Sequence, residues 1–446
     1  MTDNNSMALS PFRADLSRAL ARRGERLLAA TDLAEEVAIL APLEAYYIIK
    51  ESGVSQALPI LHHLSQEQLE ACIDLDCWNR YDFAVDRLDE WLAAFALSGP
   101  EAMAKAFFTL DYVVQLLFLC QTVTVYDPDT DQIPLEDEGI ETIRAMTPDG
   151  FYLLELKSEL ALKLHPFTVL DSLYQYDLTA THQLLSEVRV DLPTQIEEEA
   201  LRFRSGRMQD LGFAPPEEAA VLFTRPGTRP SMARPNKPFE TGVAQLPSAY
   251  AAPLIENTLL QHALTLITDR ESLARLEQEI VYTINSAIIA YGEKTQDIDQ
   301  ITDIAERVRD TISLGLESLV AKEDADSLLD VTIAAAKSSD LLEAWSITDL
   351  FRHGVAATLA LQQEMRQALT DARFRAWYDL PESRQSDEPG ERLERAFVTA
   401  LLGRHPMRSG FDQANPEKLK AFACLADIDV ARLRLKRLIA RICDHE

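Results

Sequence analysis

Apolar residues recur at helical spacing along much of the chain. Leu273, Leu276, Ile280, Ile284 and Ile288 share one face of a 3.6-residue period, and Ile301, Ile304, Val308, Ile312, Gly315 and Leu319 form a second stripe. Helix starts are written in capping chemistry. A small polar side chain accepts from an orphan backbone N–H, and an acid or amide three residues later returns the bond. Asp32 with Glu35, Ser65 with Gln68, Ser98 with Glu101, Thr268 with Glu271 and Asp340 with Glu343 fit that pattern. Pro100 suits a first helical turn, and Gly53 suits the end of the run 35–52. In the first half these signals predict helices over 34–51, 54–63, 66–73, 79–96, 100–119, 160–164, 167–189, 193–207 and 216–222.

The period changes at Thr122, where TVTVYD alternates, and again at TPDGFYLLEL, where Asp149-Gly150 is a turn signal beside a strand former. A small β element over 121–156 is expected. The most apolar stretch, Tyr112 to Tyr126, is broken by Gln115 and Gln121. It falls short of the roughly 20 apolar residues that a bilayer demands, so it predicts a buried helix running into a strand and no integral membrane segment. Five prolines between residues 224 and 250 forbid a continuous helix there. The expected fold is therefore mainly α. An N-terminal array of short helices with a small β element (1–223) is followed by a Pro-rich basic linker (224–250) and a C-terminal helical bundle (251–446). Within the bundle, Pro381 to Gly390 sets off a last helical piece that ends in the amphipathic run DVARLRLKRLIARI.

Composition narrows the function classes. Forty-three basic residues face 72 acidic ones, a net charge of −29, and residues 31–223 alone hold 11 basic and 35 acidic side chains. Such a field repels nucleic acid and anionic membrane, so no nucleic-acid partner is expected. Only 15 glycines occur, with no G-x-G-x-x-G and no phosphate-binding P-loop. Five cysteines and an N-terminus without an apolar signal segment fit a reducing, cytoplasmic setting.

The sharpest local chemistry is Asp127, Asp129, Asp131 and Glu138, which occupy the first, third, fifth and twelfth places of a Ca²⁺ loop. They are the candidate metal ligands, for Ca²⁺ or Mg²⁺. Against this, Gln132 stands where the turn-making Gly belongs and Pro134 lies inside the loop, features of a solvated acidic connection. Cys72 and Cys77, downstream of His62 and His63, lack the C-x2-C turn of a zinc site and read as core thiols. Asp349 and His353, at i and i+4, read as a local pair. Glu197 to Glu199 read as a solvated face. Trp78, Trp91, Trp345 and Trp377 suit packing, or anchoring of a partner from an exposed face. The linker cations Arg225, Arg229, Arg234 and Lys237 suit a strap across an acidic body or a recognition tail. The N-terminal Arg13, Arg18, Arg22, Arg23 and Arg26 and the C-terminal Arg432, Arg434, Lys436, Arg437 and Arg441 suit complementation of acidic surfaces, with lipid binding as the alternative. No Glu-x-x-His, no G-x-S-x-G and no catalytic or cofactor-binding residue is identified.

The run LSQEQLEACIDLDCWNRYDFAVDRLDEWLAAF (Leu64 to Phe95) and the run GRMQDLGFAPPEEAAVLF (Gly206 to Phe223) are similar to an uncharacterised bacterial family known only as a domain of unknown function. That likeness covers most of the chain and implies no activity and no assigned residue. The L-S-x-E-Q-L and D-L-D phrasing also resembles the helical cytosolic regulatory domain of magnesium-channel proteins, which implies a divalent-responsive helical array. The expected function is a non-enzymatic interaction or regulatory protein with a protein partner. A divalent-responsive module, or an enzyme whose site is assembled from distant residues, is the alternative.

Overall fold

A computed structural model describes residues 27, 30–79, 81–134, 143–157, 161–227, 248–254, 258–292, 298–323, 331–380 and 389–443. Its described elements are mainly α-helical and fall into two compact units. The first holds α1 (Leu33–Ala38), α2 (Pro42–Ser52), α3 (Leu58–Leu61), α4 (Gln66–Asp76), β1 (Trp78–Asn79), β2 (Asp82–Phe83), α5 (Val85–Ala96), α6 (Pro100–Thr109) and α7 (Tyr112–Thr122). It continues with β3 (Val123–Tyr126), β4 (Arg144–Met146), β5 (Leu153–Leu156), α8 (Pro166–Tyr176), α9 (Leu178–Val190) and α10 (Pro193–Asp210). The second unit holds α11 (Pro216–Ala219), a 3₁₀ turn (Ala220–Phe223), α12 (Ser248–Leu254), α13 (Leu259–Leu266), α14 (Arg270–Tyr291) and α15 (Ile298–Glu323). It ends with α16 (Val331–Ala344), α17 (Ile347–Ala368), α18 (Ala372–Tyr378), α19 (Pro389–Leu402) and α20 (Leu425–Cys443). No single described helix is long and apolar enough to cross a membrane.

In the first unit the Ser65 capping box forms as expected, and Gln68 also does a second task. Its Oε1 accepts from the Ser65 backbone while its Nε2 donates to the carbonyls of Val37 and Leu40, which binds the end of α1 to the start of α4. The buried helix α7 runs directly into β3, and the three-stranded antiparallel sheet β3-β5-β4 is closed by the Thr147–Gly150 turn. Several expected long helices are cut in two. Pro42 starts a new helix inside 34–51, Asp111 caps α7 inside 100–119, and Asp177 caps α9 inside 167–189. The helix expected from residue 79 begins only at Val85, because Trp78 and Phe83 pair across a short hairpin with their rings 5.2 Å apart. Residues 161–164 are not helical.

Two carboxylates on α4 tie this unit together. Asp76, fully buried, accepts from Lys50 Nζ on α2 (2.8 Å) and from Trp91 Nε1 on α5 (2.8 Å). Asp74, also buried, takes both Arg207 Nε (2.6 Å) and Nη2 (3.0 Å) from α10, while Arg207 Nη1 reaches Asp111 at the head of α7. Arg204, one turn earlier on α10, donates to the Asp74 carbonyl and lies over the Trp78 ring. Burial pushes the Asp74 carboxyl above its ordinary range, and the Arg207 hydrogen bonds and charge oppose that push.

The second unit depends on close helix crossing. A Cβ on Gly315 of α15 would collide with the Leu350 carbonyl oxygen, and one on Gly354 of α17 would collide with that of Thr311. The two backbones therefore touch at a point where only glycine fits. Leu314, Leu361, Met365, Phe374, Phe397, Val398, Leu401 and Phe422 build the adjoining core, sealed by Ile428, Ala431, Leu435 and Leu438 of α20. Thr268 and Asp340 do not cap helices: Asp269 takes the first role, and Asp340 lies inside α16.

Candidate functional site

The second unit carries an open groove of about 840 Å³ along one face of α19. Arg392, Ala396, Ala400 and Gly403 follow one another at helical spacing on that face, and Arg395 and Thr399 flank them. One wall is the end of α18, from Tyr378 to Leu380. The other is the segment 404–420, which doubles back through paired backbone bonds between Arg408 and Lys420. That return requires Gly410, whose φ of 67° lies in the left-handed region and where a Cβ would collide with the Leu393 carbonyl oxygen.

Three arginines line the groove. Arg392 and Arg404 are exposed, and Arg395 is half-buried with its guanidinium 4.7 Å over the Trp377 ring and Nη1 donating to the Tyr378 carbonyl. Among the described residues, none of the three lies within ion-pair distance of a carboxylate, and the Arg395 Nε is buried without a hydrogen-bond partner. Asp379 and Glu417 also line the groove, but Asp379 pairs with Arg375.

The one imidazole in the groove is held for packing. His405 stacks on Phe223 with centroids 3.4 Å apart and meets the edge of Tyr291, and its Nε2 is buried without a partner among the described residues. Burial, assisted by the charge of Arg404, lowers its pKa to about 4, so it is neutral near pH 7. The groove hydroxyls are engaged as well: Ser409 donates to the Pro416 carbonyl, and Thr399 shares a hydrogen bond with the Tyr378 hydroxyl. The arrangement offers cationic donors to an anion, and the described groove residues pair no nucleophile with a base.

Asp127 and Asp131 do converge, but on a cation that belongs to the chain. Arg189 of α9 contacts Asp131 through Nε (2.7 Å) and Nη2 (2.9 Å), bonds to Thr130, and stands 3.7 Å from Asp127. Its hydrogen bonds pull the Asp131 pKa down to about 2. The Asp127 carboxylate also receives the Asp129 backbone N–H, and Glu138 lies outside the described residues. A metal ion seated here would have to displace the Arg189 guanidinium. Among the described residues, no group of three or more His, Cys, Asp or Glu side chains has metal-holding geometry.

Cys72 and Cys77 are free, buried thiols whose pKa values are raised, chiefly by burial. His62 bonds to Ser98. Ser346 caps α17 by accepting from the Asp349 backbone N–H, the Asp349 carboxylate pairs with Arg352, and His353 packs edge-on against Trp345. On α20, Arg432 pairs with Glu364, Arg434 with Glu394 and Arg441 with Glu391, so these cations complement acids of α17 and α19. Arg225 offers its carbonyl to Arg352; Arg229, Arg234, Lys237 and the five N-terminal arginines lie outside the described residues.

A family model described as "Family of unknown function (DUF6178)" matches residues 2–442. The chain belongs to the DUF6178 family. No curated protein and no solved structure matches it. The family assignment covers both units and the groove, and it agrees with the likeness read at Leu64 to Phe95 and Gly206 to Phe223.

Sequence reasoning passed over Arg392, Arg395 and Arg404. A signal exists in the run ERLERAFVTALLGRH, where arginines bracket small residues four apart, but it resembles any amphipathic helix. A carboxylate–imidazole contact was also missed: His182 Nδ1 lies 3.1 Å from Asp149 Oδ2. Asp149 there also accepts from Thr147 and from the Phe151 backbone, so the contact fastens α9 to the β4–β5 turn.

Proposed function

We propose that this DUF6178 chain is a non-enzymatic interaction protein with a regulatory role, and that it engages a protein partner through the arginine groove. One observation carries the reading. In a chain of net charge −29, three arginines collect on one concave surface with no carboxylate partner among the described residues. Other arginines are paired with acid, as at Arg207, Arg189, Arg432 and Arg434. Guanidinium forks recognise carboxylates bidentately and are enriched at protein interfaces. The committed hydroxyls and the neutral, stacked His405 favour binding over chemistry. Free thiols at Cys72, Cys77 and Cys120 fit a cytoplasmic setting.

The test is affinity capture of the tagged full chain from its native cells. The wild type and the control reversal Arg202→Glu, on an exposed face of α10, are expected to retain a stoichiometric partner, and the double reversal Arg392→Glu/Arg404→Glu is expected to lose it. Recovery of the partner by the double reversal at wild-type level removes the reading.

A further inference from the structure

Helix α20 carries a bare face. Its buried residues Ile428, Ala431, Leu435 and Leu438 belong to the core, whereas Ala426, Asp429, Val430, Leu433, Lys436, Arg437 and Ala440 are all exposed. At 3.6 residues per turn the exposed set lies within about 60° of Leu433, in a strip roughly 21 Å long. Val430 and Leu433 are 68% and 49% exposed, and a hollow of about 360 Å³ opens beside them, between Glu394 of α19 and Arg437 and Arg441 of α20. Arg434 and Arg441 are held by Glu394 and Glu391, while Lys436 and Arg437 lie in no ion pair among the described residues. Asp429 bonds to Arg432 at 3.0 Å, yet its side chain is 72% exposed.

This strip is complementary to itself. Asp429 and Lys436 lie on one flank of Leu433, and Val430 and Arg437 lie on the other. A two-fold axis through Leu433 sets a second α20 antiparallel on the first, reversing heights along the helix and keeping flanks. Leu433 then meets its own copy, and the small residues Ala426 and Ala440 face each other at both ends. Asp429 faces Lys436 of the second copy, and Val430 faces the hollow and the aliphatic stem of Arg437; both contacts occur twice. Net charge of −29 makes most encounters between copies repulsive. Here two cations and one acid are presented instead. We infer that the exposed face of α20 docks a second copy of this chain as an antiparallel, two-fold helix pair. One helix strip offers less than the ~800 Å² per partner of a stable complex, so the dimer is weak and concentration-dependent.

The experiment is analytical ultracentrifugation of the full chain from micromolar to submillimolar concentration in physiological salt. The account predicts a reversible equilibrium between monomer and dimer. Leu433→Glu, Asp429→Lys and Lys436→Asp should each weaken it at least tenfold, with the melting temperature of the dilute protein unchanged. The swap Asp429→Lys/Lys436→Asp restores both cross-pairs with their signs exchanged, and should return the affinity to within about threefold of the wild type. That recovery decides the matter even where a single reversal costs stability, because a merely structural role gives no reason for it. A monomer at every concentration overturns the inference, including one whose α20 face instead holds it on phosphatidylserine vesicles. A dimer that ignores Leu433→Glu, or a swap as weak as the single reversals, overturns it too. These substitutions leave Arg392 and Arg404 in place, so failure of the dimer and failure of partner capture through the groove are separate results.

Discussion

In the N-terminal unit Arg207 meets two carboxylates, whereas in the C-terminal unit Arg392, Arg395 and Arg404 meet none among the described residues. The side-chain chemistry is the same and the surroundings are opposite. Around Asp74 and Asp76 every charge is partly or wholly out of water, and each carboxylate joins helices that are distant in sequence: α4 with α10 at Asp74, α4 with α2 and α5 at Asp76. Buried pairs of this kind add little over an apolar core, but they are costly to break, because the surviving partner is left as an uncompensated charge. Arg392 and Arg404 face water on an open surface, so the fold does not depend on them. Paired charge fastens the N-terminal unit at Asp74 and Asp76, whereas Arg392 and Arg404 remain exposed along the groove.

Removing one side of the buried node should have the largest effect. Asp74→Ala leaves Arg207 facing only Asp111 and is expected to cost about 4 kcal/mol of stability, measured by urea unfolding. A loss below about 1 kcal/mol would place the node on the same footing as a surface pair. Next, Trp91→Phe deletes the N–H donated to Asp76 and part of a buried ring, with an expected cost of about 2 kcal/mol. Arg392→Ala and Arg404→Ala should each change stability by no more than about 0.5 kcal/mol while weakening partner binding. A groove arginine as costly to remove as Asp74 would erase the contrast.

The contrast has a pH counterpart at His405. Its folded pKa, about 4, lies below the ordinary histidine value of 6.5, so the unfolded chain binds the proton first. The stability tied to its neutral form is fully present above about pH 6.5 and is lost as pH falls toward 4. His405→Phe should flatten that part of the stability profile, read from melting temperatures between pH 4 and 7; an unchanged profile would show that His405 is not its source.

The smallest expected effect concerns divalent ions. Because Arg189 already neutralises Asp127 and Asp131, millimolar Ca²⁺ or Mg²⁺ should not raise the melting temperature beyond matched monovalent salt. Arg189→Ala frees the carboxylates, and a divalent-specific rise in that variant alone would sharpen the point. A rise in the wild type would favour the divalent-responsive reading.

Much of the helical framework was legible because its signals are local. Ser65 with Gln68, Pro100 and the alternation at TVTVYD act over a few residues, and each produced the element it announces. Breaks were harder to read. Asp111 and Asp177 serve as caps within runs whose apolar spacing continues across them, and the hairpin at Trp78 and Phe83 is fixed by ring packing. The sites were not legible, because their chemistry is tertiary. Asp127 to Asp131 reads as an open oxygen cluster until Arg189 arrives from α9. Arg392 and Arg404 read as ordinary surface charges until the 404–420 segment folds back to make a wall. Lack of a partner is a property of three-dimensional neighbours, and no spacing encodes it.

The most direct measurement is hydrogen–deuterium exchange on the full chain, alone and bound to its stoichiometric partner. The account predicts that added protection concentrates at 389–404 and 416–420, with the α2, α4 and α10 amides around Asp74 and Asp76 unchanged. Protection confined to the N-terminal unit, with the α19 face exchanging as it does in the free protein, would contradict it.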